Sequence, residues 1–209
     1  MTDARASILG TLRATLAEQT ERPEHPGALP PRLAADRLTH FIEKAEKAAA
    51  TVTRLPSLRA LPEAVTAYLR QQGLPARLAA APHPLLRQAT WPKSLRVEYR
   101  AAQAEDGAAI TVAAYGVAET GSVVMVSGAD TPTTLNFLPD HLMIVLPVSH
   151  ILGHPEQVWS ALRTDGAPLP RAVNFVTGPS RTADVEQKMQ LGAHGPRSVQ
   201  IMLLEGGSD

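Results

Sequence analysis

The sequence predicts an α/β protein with three layers, an α/β/α sandwich in which helices cover both faces of a central parallel or mixed sheet. Short segments rich in β-branched and aliphatic residues alternate with segments of helical periodicity. One strand candidate, residues 142–146, is apolar throughout, as expected for a strand buried on both faces. The chain has 209 residues, of which 44% are hydrophobic and 19% charged, so it can bury a sizeable core and is not intrinsically disordered.

An N-terminal arm precedes the main body of the fold. Four apolar residues at helical spacing predict an amphipathic helix over residues 3–19: Ile8, Leu9, Leu12 and Leu16. The following linker contains four prolines that forbid regular structure: Pro23, Pro26, Pro30 and Pro31. We therefore expect a helix and proline-rich linker over residues 1–32 and a folded domain over residues 33–209.

The first half of the domain alternates helix and strand. The predicted elements are a helix over 36–50, a strand over 51–55, a helix over 61–72 and a strand over 76–81. Asp36 can cap the first of these helices. Gly73 and Pro75 end the second, because glycine tolerates the conformation of a helix end and proline cannot continue a helix.

The second half contains five predicted strands and two predicted helices. The strands cover 109–113, 122–127, 142–146, 172–177 and 198–204, and the helices cover 156–162 and 182–191. The first two of these strands flank a turn over residues 116–121, which begins and ends with glycine.

Composition excludes several classes of function. The chain has no cysteine, which excludes disulfides, thiolate zinc sites, cysteine nucleophiles and iron–sulfur clusters held by its own thiolates. A net charge of zero and 4% aromatic residues argue against a nucleic-acid or anionic-membrane partner. Neither a long apolar stretch nor a signal-peptide pattern is visible, so we expect a cytoplasmic protein.

Charge is distributed unevenly along the chain. Residues 54–100 carry eight basic and two acidic side chains, a net charge of +6, whereas residues 101–209 carry five basic and eleven acidic side chains, a net charge of −6. Either the two halves of one fold attract each other, or a basic face receives an acidic partner or ligand.

Common catalytic motifs are absent. The sequence has no GxSxG nucleophile elbow, no P-loop and no GxGxxG. His150 and His154 are four residues apart, but Gly153 and Pro155 prevent the helix that would make this spacing suitable for a metal site. We therefore predict no metal site.

The first candidate site is the turn Gly116-Val-Ala-Glu-Thr-Gly-Ser122. Glu119 lies between two glycines that can adopt unusual backbone angles, at a strand end where ligands of α/β proteins often bind. Glu119 either accepts backbone hydrogen bonds that fix the turn or supplies a functional carboxylate. Thr120 and Gly121 belong to the same turn and are predicted to contact the substrate.

The second candidate site is Thr177-Gly-Pro-Ser-Arg-Thr-Ala-Asp-Val-Glu186, at the predicted start of the helix over 182–191. Ser180 or Thr182 can cap that helix, and the backbone N–H groups together with Arg181 would form an anion site. The residues predicted to bind the anion here are Gly178, Ser180, Arg181 and Thr182. Nearby, His194 lies in a glycine turn, either as a general acid or base or as a surface residue.

These segments resemble a known family. GVAETGSVVMVS, TLNFLPDHLMIVLP, TGPSRTADVEQKMQLGAHGP and VQIMLLEG, in this order, resemble the LUD domain of lactate-utilisation protein C. The resemblance is close over residues 105–205 and looser over 36–104, so the domain over 33–209 would be a LUD domain. It implies a fold similar to the ribose-5-phosphate isomerase, glucosamine-6-phosphate deaminase and CoA-transferase group.

The resemblance also implies a function. Members of this family are one of three cytoplasmic proteins that bacteria need to oxidise L-lactate to pyruvate, and the other two carry iron–sulfur clusters. A chain without cysteine matches the cluster-free component. It would be a component of an iron–sulfur L-lactate dehydrogenase complex that does not use NAD, with a small carboxylate as substrate. A cofactor either binds in its pocket or is confined to the partners.

Two alternatives remain open at this stage. By analogy of fold, Glu119 would be the nucleophile of a stand-alone enzyme that handles thioesters or sugar phosphates. Alternatively, the chain is a non-catalytic assembly or regulatory subunit. In the lactate interpretation, Arg181 and Ser180 hold a carboxylate, His194 moves a proton, and Glu119 shapes the pocket or acts as a base.

Overall fold

The computed structural model describes residues 2–18, 36–164, 169–183, 189–191 and 194–206, and the chain divides into two compact units, 1–30 and 31–209. The first unit contains helix α1 (Thr2–Glu18), which confirms the helix predicted over 3–19. Its apolar residues Ile8, Leu9 and Leu12 are exposed. None of the described helices is both long enough and apolar enough to cross a bilayer.

A six-stranded parallel sheet forms the centre of the second unit. From one edge to the other, its strands are β1 (Thr51–Leu55), β12 (Ser198–Leu204), β7 (His141–Pro147), β4 (Ala108–Val112), β2 (Arg77–Ala80) and β3 (Arg96–Tyr99). Five of these strands match predicted strands, and β3 was not predicted. The sheet is flanked by helices, which confirms the predicted α/β fold.

Helices cover one face of this sheet. They are α3 (Leu61–Gln71), α4 (Pro84–Gln88) and α5 (Thr134–Phe137), of which only α3 was predicted. Successive side chains of β7 point to opposite faces of the sheet, as the pleat of a strand requires. Its Met143 and Val145 pack with α3 and its Leu142 and Ile144 pack on the opposite side, so β7 is buried on both faces as its apolar sequence predicts.

The opposite face is covered by a helix and a second sheet. The helix is α2 (Arg37–Lys47), and the sheet consists of β8 (Ile151–Leu152), β5 (Tyr115–Val117), β6 (Ser122–Val126) and β9 (Val173–Val176). Helix α6 (Pro155–Thr164) packs on the outer side of this small sheet through Val158, against Val117 and Val124.

Helix α2 begins where its capping residue predicts. The Asp36 carboxylate accepts hydrogen bonds from the backbone N–H of Thr39 at 3.1 Å and from the Thr39 hydroxyl at 2.5 Å. These hydrogen bonds hold the pKa of Asp36 below its usual value. The predicted helix continued to residue 50, but helix α2 ends at Lys47, and Ala49 adopts a left-handed conformation (φ 66°) after it.

The helix predicted over 182–191 is wrong. Residues Arg181–Ala183 form strand β10, and Met189–Leu191 form strand β11, which pair antiparallel with Arg181 opposite Leu191. Strand pairing satisfies the backbone of these residues, so the local helical pattern of the sequence does not decide their conformation.

Candidate functional site

The first candidate segment is a tight hairpin that packs on helix α2. Strands β5 and β6 pair antiparallel, with Val117 opposite Ser122, and the N–H of Gly121 donates to the carbonyl of Val117 at 2.9 Å. Gly121 has φ +69°, and a Cβ at this position would lie 2.2 Å from the backbone nitrogen of Ala45 in α2. Glycine is therefore required here for the turn to contact the helix.

Glu119 is held at the tip of this hairpin by the segment before α6. Its N–H donates to the carbonyl of Gly153 at 3.1 Å, and its carboxylate lies 3.2 Å from Nδ1 of His154. An ionised carboxylate can only accept, so Nδ1–H of His154 is the donor. The Glu119 side chain is 48% exposed, whereas that of His154 is 13% exposed. Glu119 thus presents a carboxylate to solvent while an imidazole fixes its orientation.

His154 is the residue that sequence reasoning missed. The sequence places it four residues after His150, and no spacing rule connects it with Glu119. Parallel pairing of β5 with β8, Val117 opposite Leu152, brings the two side chains together. Gln157 supports the segment by accepting hydrogen bonds from the N–H groups of Gly153 and His154. Nε2 of His154 is buried and has no hydrogen-bond partner among the described residues.

A row of hydroxyl groups connects the first candidate segment with the second. The hydroxyl of Ser122 lies 2.7 Å from that of Thr120 and 2.6 Å from that of Thr177, the residue that follows β9. Ser122 is buried, and the two threonines are exposed. Pairing of β6 with β9 places Val123 opposite Val176, which brings Thr177 beside Ser122.

The second segment packs on the end of the same helix. Gly178 has φ +75°, and a Cβ there would lie 2.0 Å from the carbonyl oxygen of Ala48, the residue that caps α2. The Arg181 guanidinium donates to that same oxygen at 3.3 Å. Positive charge is favourable at the C-terminal end of a helix, where carbonyl groups lack partners.

This arrangement removes the helix start on which the predicted anion site depended. Ser180 and Thr182 cap no helix within the described residues, because β10 replaces the predicted helix start. Thr182 pairs with Gln190 in the hairpin instead. Arg181 therefore lies at the negative end of α2 and not beside the positive end of a following helix. One of its donors goes to Ala48, which leaves other guanidinium donors for a ligand.

The loop that contains His194 lies alongside the second segment. The N–H of Ser180 donates to the carbonyl of Pro196 at 2.8 Å, and a Cβ at Gly195 would lie 3.2 Å from that of Ser180. His194 is exposed and precedes this contact directly. His194 thus comes directly before a loop that packs on Ser180, whereas the Glu119 carboxylate contacts His154.

These segments lie at the amino edge of the large sheet. Ala48 precedes the start of β1 by three residues, and Pro196 precedes the start of β12 by two residues. Ligands of open α/β sheets usually bind at the carboxyl edge. The candidate residues therefore gather at the opposite edge, where the small sheet and the end of α2 bring their loops together.

A second polar cluster lies at the same edge, on the face covered by α3. The Tyr68 hydroxyl lies 2.8 Å from the hydroxyl of Ser198 and 3.1 Å from Nδ1 of His141. His141 and Ser198 are direct neighbours in the pairing of β7 with β12. Burial lowers the pKa of His141 and raises that of Tyr68, so both side chains are predominantly neutral at pH 7.

Metal ligation is not evident in this part of the chain. Within residues 36–164 and the other described segments, no group of three or more His, Asp or Glu side chains is placed to bind a metal ion. The candidate groups are thus a carboxylate–imidazole pair, a row of hydroxyls and a guanidinium. The guanidinium can bind a small anion, and the carboxylate–imidazole pair can accept or donate a proton.

Comparison with known proteins identifies relatives that match about half of the chain. The chain is 36% identical over 113 residues to lactate utilization protein C of Halalkalibacterium halodurans, which covers 53% of this chain and 48% of that protein. It is 32% identical over 108 residues to lactate utilization protein C of Bacillus subtilis, which covers 50% of this chain and 44% of that protein. The chain thus spans about half the length of the curated relatives it matches.

A solved structure and a family model cover more of the chain. The crystal structure of a DUF162 family protein from Deinococcus radiodurans has a TM-score of 0.60 at 20% identity, and the match covers 82% of this chain and 99% of that one. This likeness supports the fold. The LUD domain model matches residues 38–204, which include every strand of both larger sheets. The chain therefore belongs to the LUD domain family.

Proposed function

We propose that the chain takes part in lactate utilisation, as the cluster-free subunit of a cytoplasmic iron–sulfur complex that oxidises L-lactate to pyruvate. The observation that carries the proposal is its similarity to proteins named lactate utilization protein C, over about half of their length. These 209 residues contain no cysteine, so a cluster with thiolate ligands has to be held by residues outside them.

The proposed roles of the residues follow from the chemistry. Oxidation of lactate to pyruvate removes two electrons and two protons, and no side chain described above is an electron acceptor. The electrons therefore go to a bound cofactor or to the iron–sulfur partners. Arg181 retains donors that can bind the substrate carboxylate, and Glu119 presents a half-exposed carboxylate that can take the hydroxyl proton. His154 positions Glu119 by donating from Nδ1, and His194 is the second candidate for proton transfer.

A non-catalytic subunit is the second candidate function. It is favoured by the contacts of Gly121, Gly178 and Arg181 with the end of α2, because each of these residues has a structural reason to be present. In that case the resemblance of these motifs to the family would reflect the fold and an assembly surface. Glu119 and His194 would then be dispensable for electron transfer in the complex.

Reconstitution of the complex tests the proposal. We would measure L-lactate-dependent dye reduction by the two iron–sulfur proteins with and without this chain. Activity is expected to require the chain, and Glu119→Gln is expected to lower kcat by about tenfold or more. Glu156→Gln is the matched control, because Glu156 is an exposed carboxylate on α6.

The other outcomes separate the alternatives. Unchanged activity without the chain would refute the role in lactate oxidation. A requirement for the chain together with full activity of Glu119→Gln and His194→Gln would establish the non-catalytic subunit. Conversion of a CoA thioester or a sugar phosphate by the purified chain alone, at an ordinary enzymatic rate, would identify a stand-alone enzyme instead.

A further inference from the structure

The basic segment over residues 54–100 is only partly neutralised within the fold. Its Arg54, Arg77, Arg96 and Arg100 form ion pairs, and Arg87 lies 4.6 Å from the centre of the Tyr99 ring. The other three basic residues form no ion pair with any residue that the structure describes: Arg59, Arg70 and Lys93. Arg87 also has no acidic partner among the described residues, so four of the eight positive charges are not neutralised by an ion pair.

Two of these side chains, Arg59 and Arg70, line one groove. A cavity of about 500 Å³ lies between the outer side of α3 and the segment over residues 90–94. Arg59 and Arg70 both line it on the side of α3, and Trp91 and Pro92 line it on the opposite side. Arg59 precedes α3 in a turn of 3-10 helix, eleven residues before Arg70, so the two positions are separated by about 16 Å along the helix.

The opposite wall of the groove is rigid. Nε1 of Trp91 donates to the Tyr99 hydroxyl at 2.8 Å, and that hydroxyl donates to the carbonyl of Leu86 at 2.8 Å. Trp91 is half-buried, so part of its indole ring lines the groove in a fixed orientation. A neighbouring cavity of about 390 Å³ also contains Arg59 in its lining, which lengthens the groove beyond this residue.

The charges and the length of the groove determine what it fits. The backbone positions of Arg59 and Arg70 are about 16 Å apart, so each arginine can contact its own acidic group without the two side chains bending toward each other. An extended peptide rises about 3.3 Å per residue, so acidic side chains about five residues apart would reach both. Glu63 is the acidic residue among those that line the groove, and it leaves the lining with a net positive charge. Trp91 and Pro92 add apolar surface for the rest of such a peptide.

We infer that this groove is a docking site for an acidic, extended peptide segment of a partner protein. The inference rests on the charges of this surface and does not depend on the proposed role in lactate oxidation. Arg59 and Arg70 form charge-assisted hydrogen bonds with two acidic side chains, and Trp91 contacts the peptide between them. Binding weakens as salt is added, because the contacts are exposed.

A fluorescence titration tests this inference. The chain has two tryptophans, so Trp159→Phe leaves Trp91 as the only reporter in the full-length protein. The probe is octaglutamate with blocked termini, and octaglutamine is the uncharged comparison. We expect saturable binding of octaglutamate alone, weakened at least tenfold by Arg59→Gln/Arg70→Gln. The control Arg163→Gln/Arg171→Gln changes the net charge equally at exposed arginines outside the groove and is expected to bind within twofold of the parent.

A second variant tests the groove without removing an arginine. Ala67 lines the groove and is exposed, so Ala67→Glu adds negative charge on a helix face and should also weaken binding at least tenfold. The inference is overturned by an absence of saturable binding, or by equal weakening in the two double variants. It is also overturned if tripolyphosphate displaces octaglutamate with equal or higher affinity, because the groove would then be a site for small polyanions.

Discussion

At the scale of single residues, Gly121 and Gly178 position the candidate site. Both have positive φ, and a Cβ at either position would overlap the backbone of α2. The sequence predicts that glycines near Glu119 adopt unusual backbone angles, and Gly121 does so. The contact with α2 could not be predicted, because Ala45 is 76 residues away along the chain and spacing rules describe only local geometry.

We predict that Gly121→Ala destabilises the protein by about 3 kcal/mol or more, because it combines an unfavourable φ with overlap against helix backbone. Urea denaturation measures the change in the free energy of unfolding. Gly107→Ala is the control, since a Cβ at Gly107 meets no atom within 4 Å, and we expect a change below about 1 kcal/mol. A Gly121→Ala variant as stable as Gly107→Ala would contradict the packing of the hairpin on α2.

At the scale of elements, the sequence predicted the strands of the large sheet better than the segment after β9. In an uninterrupted apolar run such as β7, the local sequence pattern and the burial of the side chains both favour a strand, so the prediction from sequence is correct. The segment over 182–191 has helical spacing and capping residues, yet β10 and β11 pair as strands. The local helical pattern and the pairing of the two strands in a hairpin disagree there, and the hairpin pairing determines the structure.

The position of Arg181 at the C-terminal end of α2 predicts the effect of Arg181→Ala on stability. Arg181 donates to Ala48 at the end of α2, so its removal should lower the free energy of unfolding by about 0.5–1 kcal/mol. Arg181→Lys retains the charge and should lose less than half of that amount. Denaturation at low salt measures the effect, with the exposed Arg171→Ala as the comparison. Equal stability of Arg181→Ala and Arg171→Ala would show that Arg181 does not stabilise the helix end.

At the scale of the whole molecule, the order of elements determines which ends of the strands meet. Strand β12 comes last in the chain but lies between β1 and β7, so the loop before it joins both faces of the amino edge. Ser180 contacts Pro196 in that loop, and Tyr68 contacts Ser198 at the beginning of β12. The sequence predicted the parallel or mixed sheet but could not give this strand order, and it therefore could not predict that the candidate residues would gather at the amino edge.

The distribution of the hydrophobic core along the chain predicts the effect of removing residues 1–30. Among the described residues, the three hydrophobic core clusters contain only residues between Leu38 and Leu204. A chain that starts at residue 31 should therefore fold, with a Tm within about 3 °C of the full chain, which corresponds to roughly 1 kcal/mol for a domain of this size. Thermal unfolding followed by near-ultraviolet circular dichroism measures this. A chain that ends at residue 197 is the contrasting control, because it lacks β12 from the middle of the sheet and should not fold.

A decrease in Tm of 10 °C or more on removing residues 1–30 would show that the N-terminal unit stabilises the second unit. If the shortened chain folds normally yet fails to restore lactate-dependent activity to its partners, the N-terminal unit contributes to assembly and not to stability.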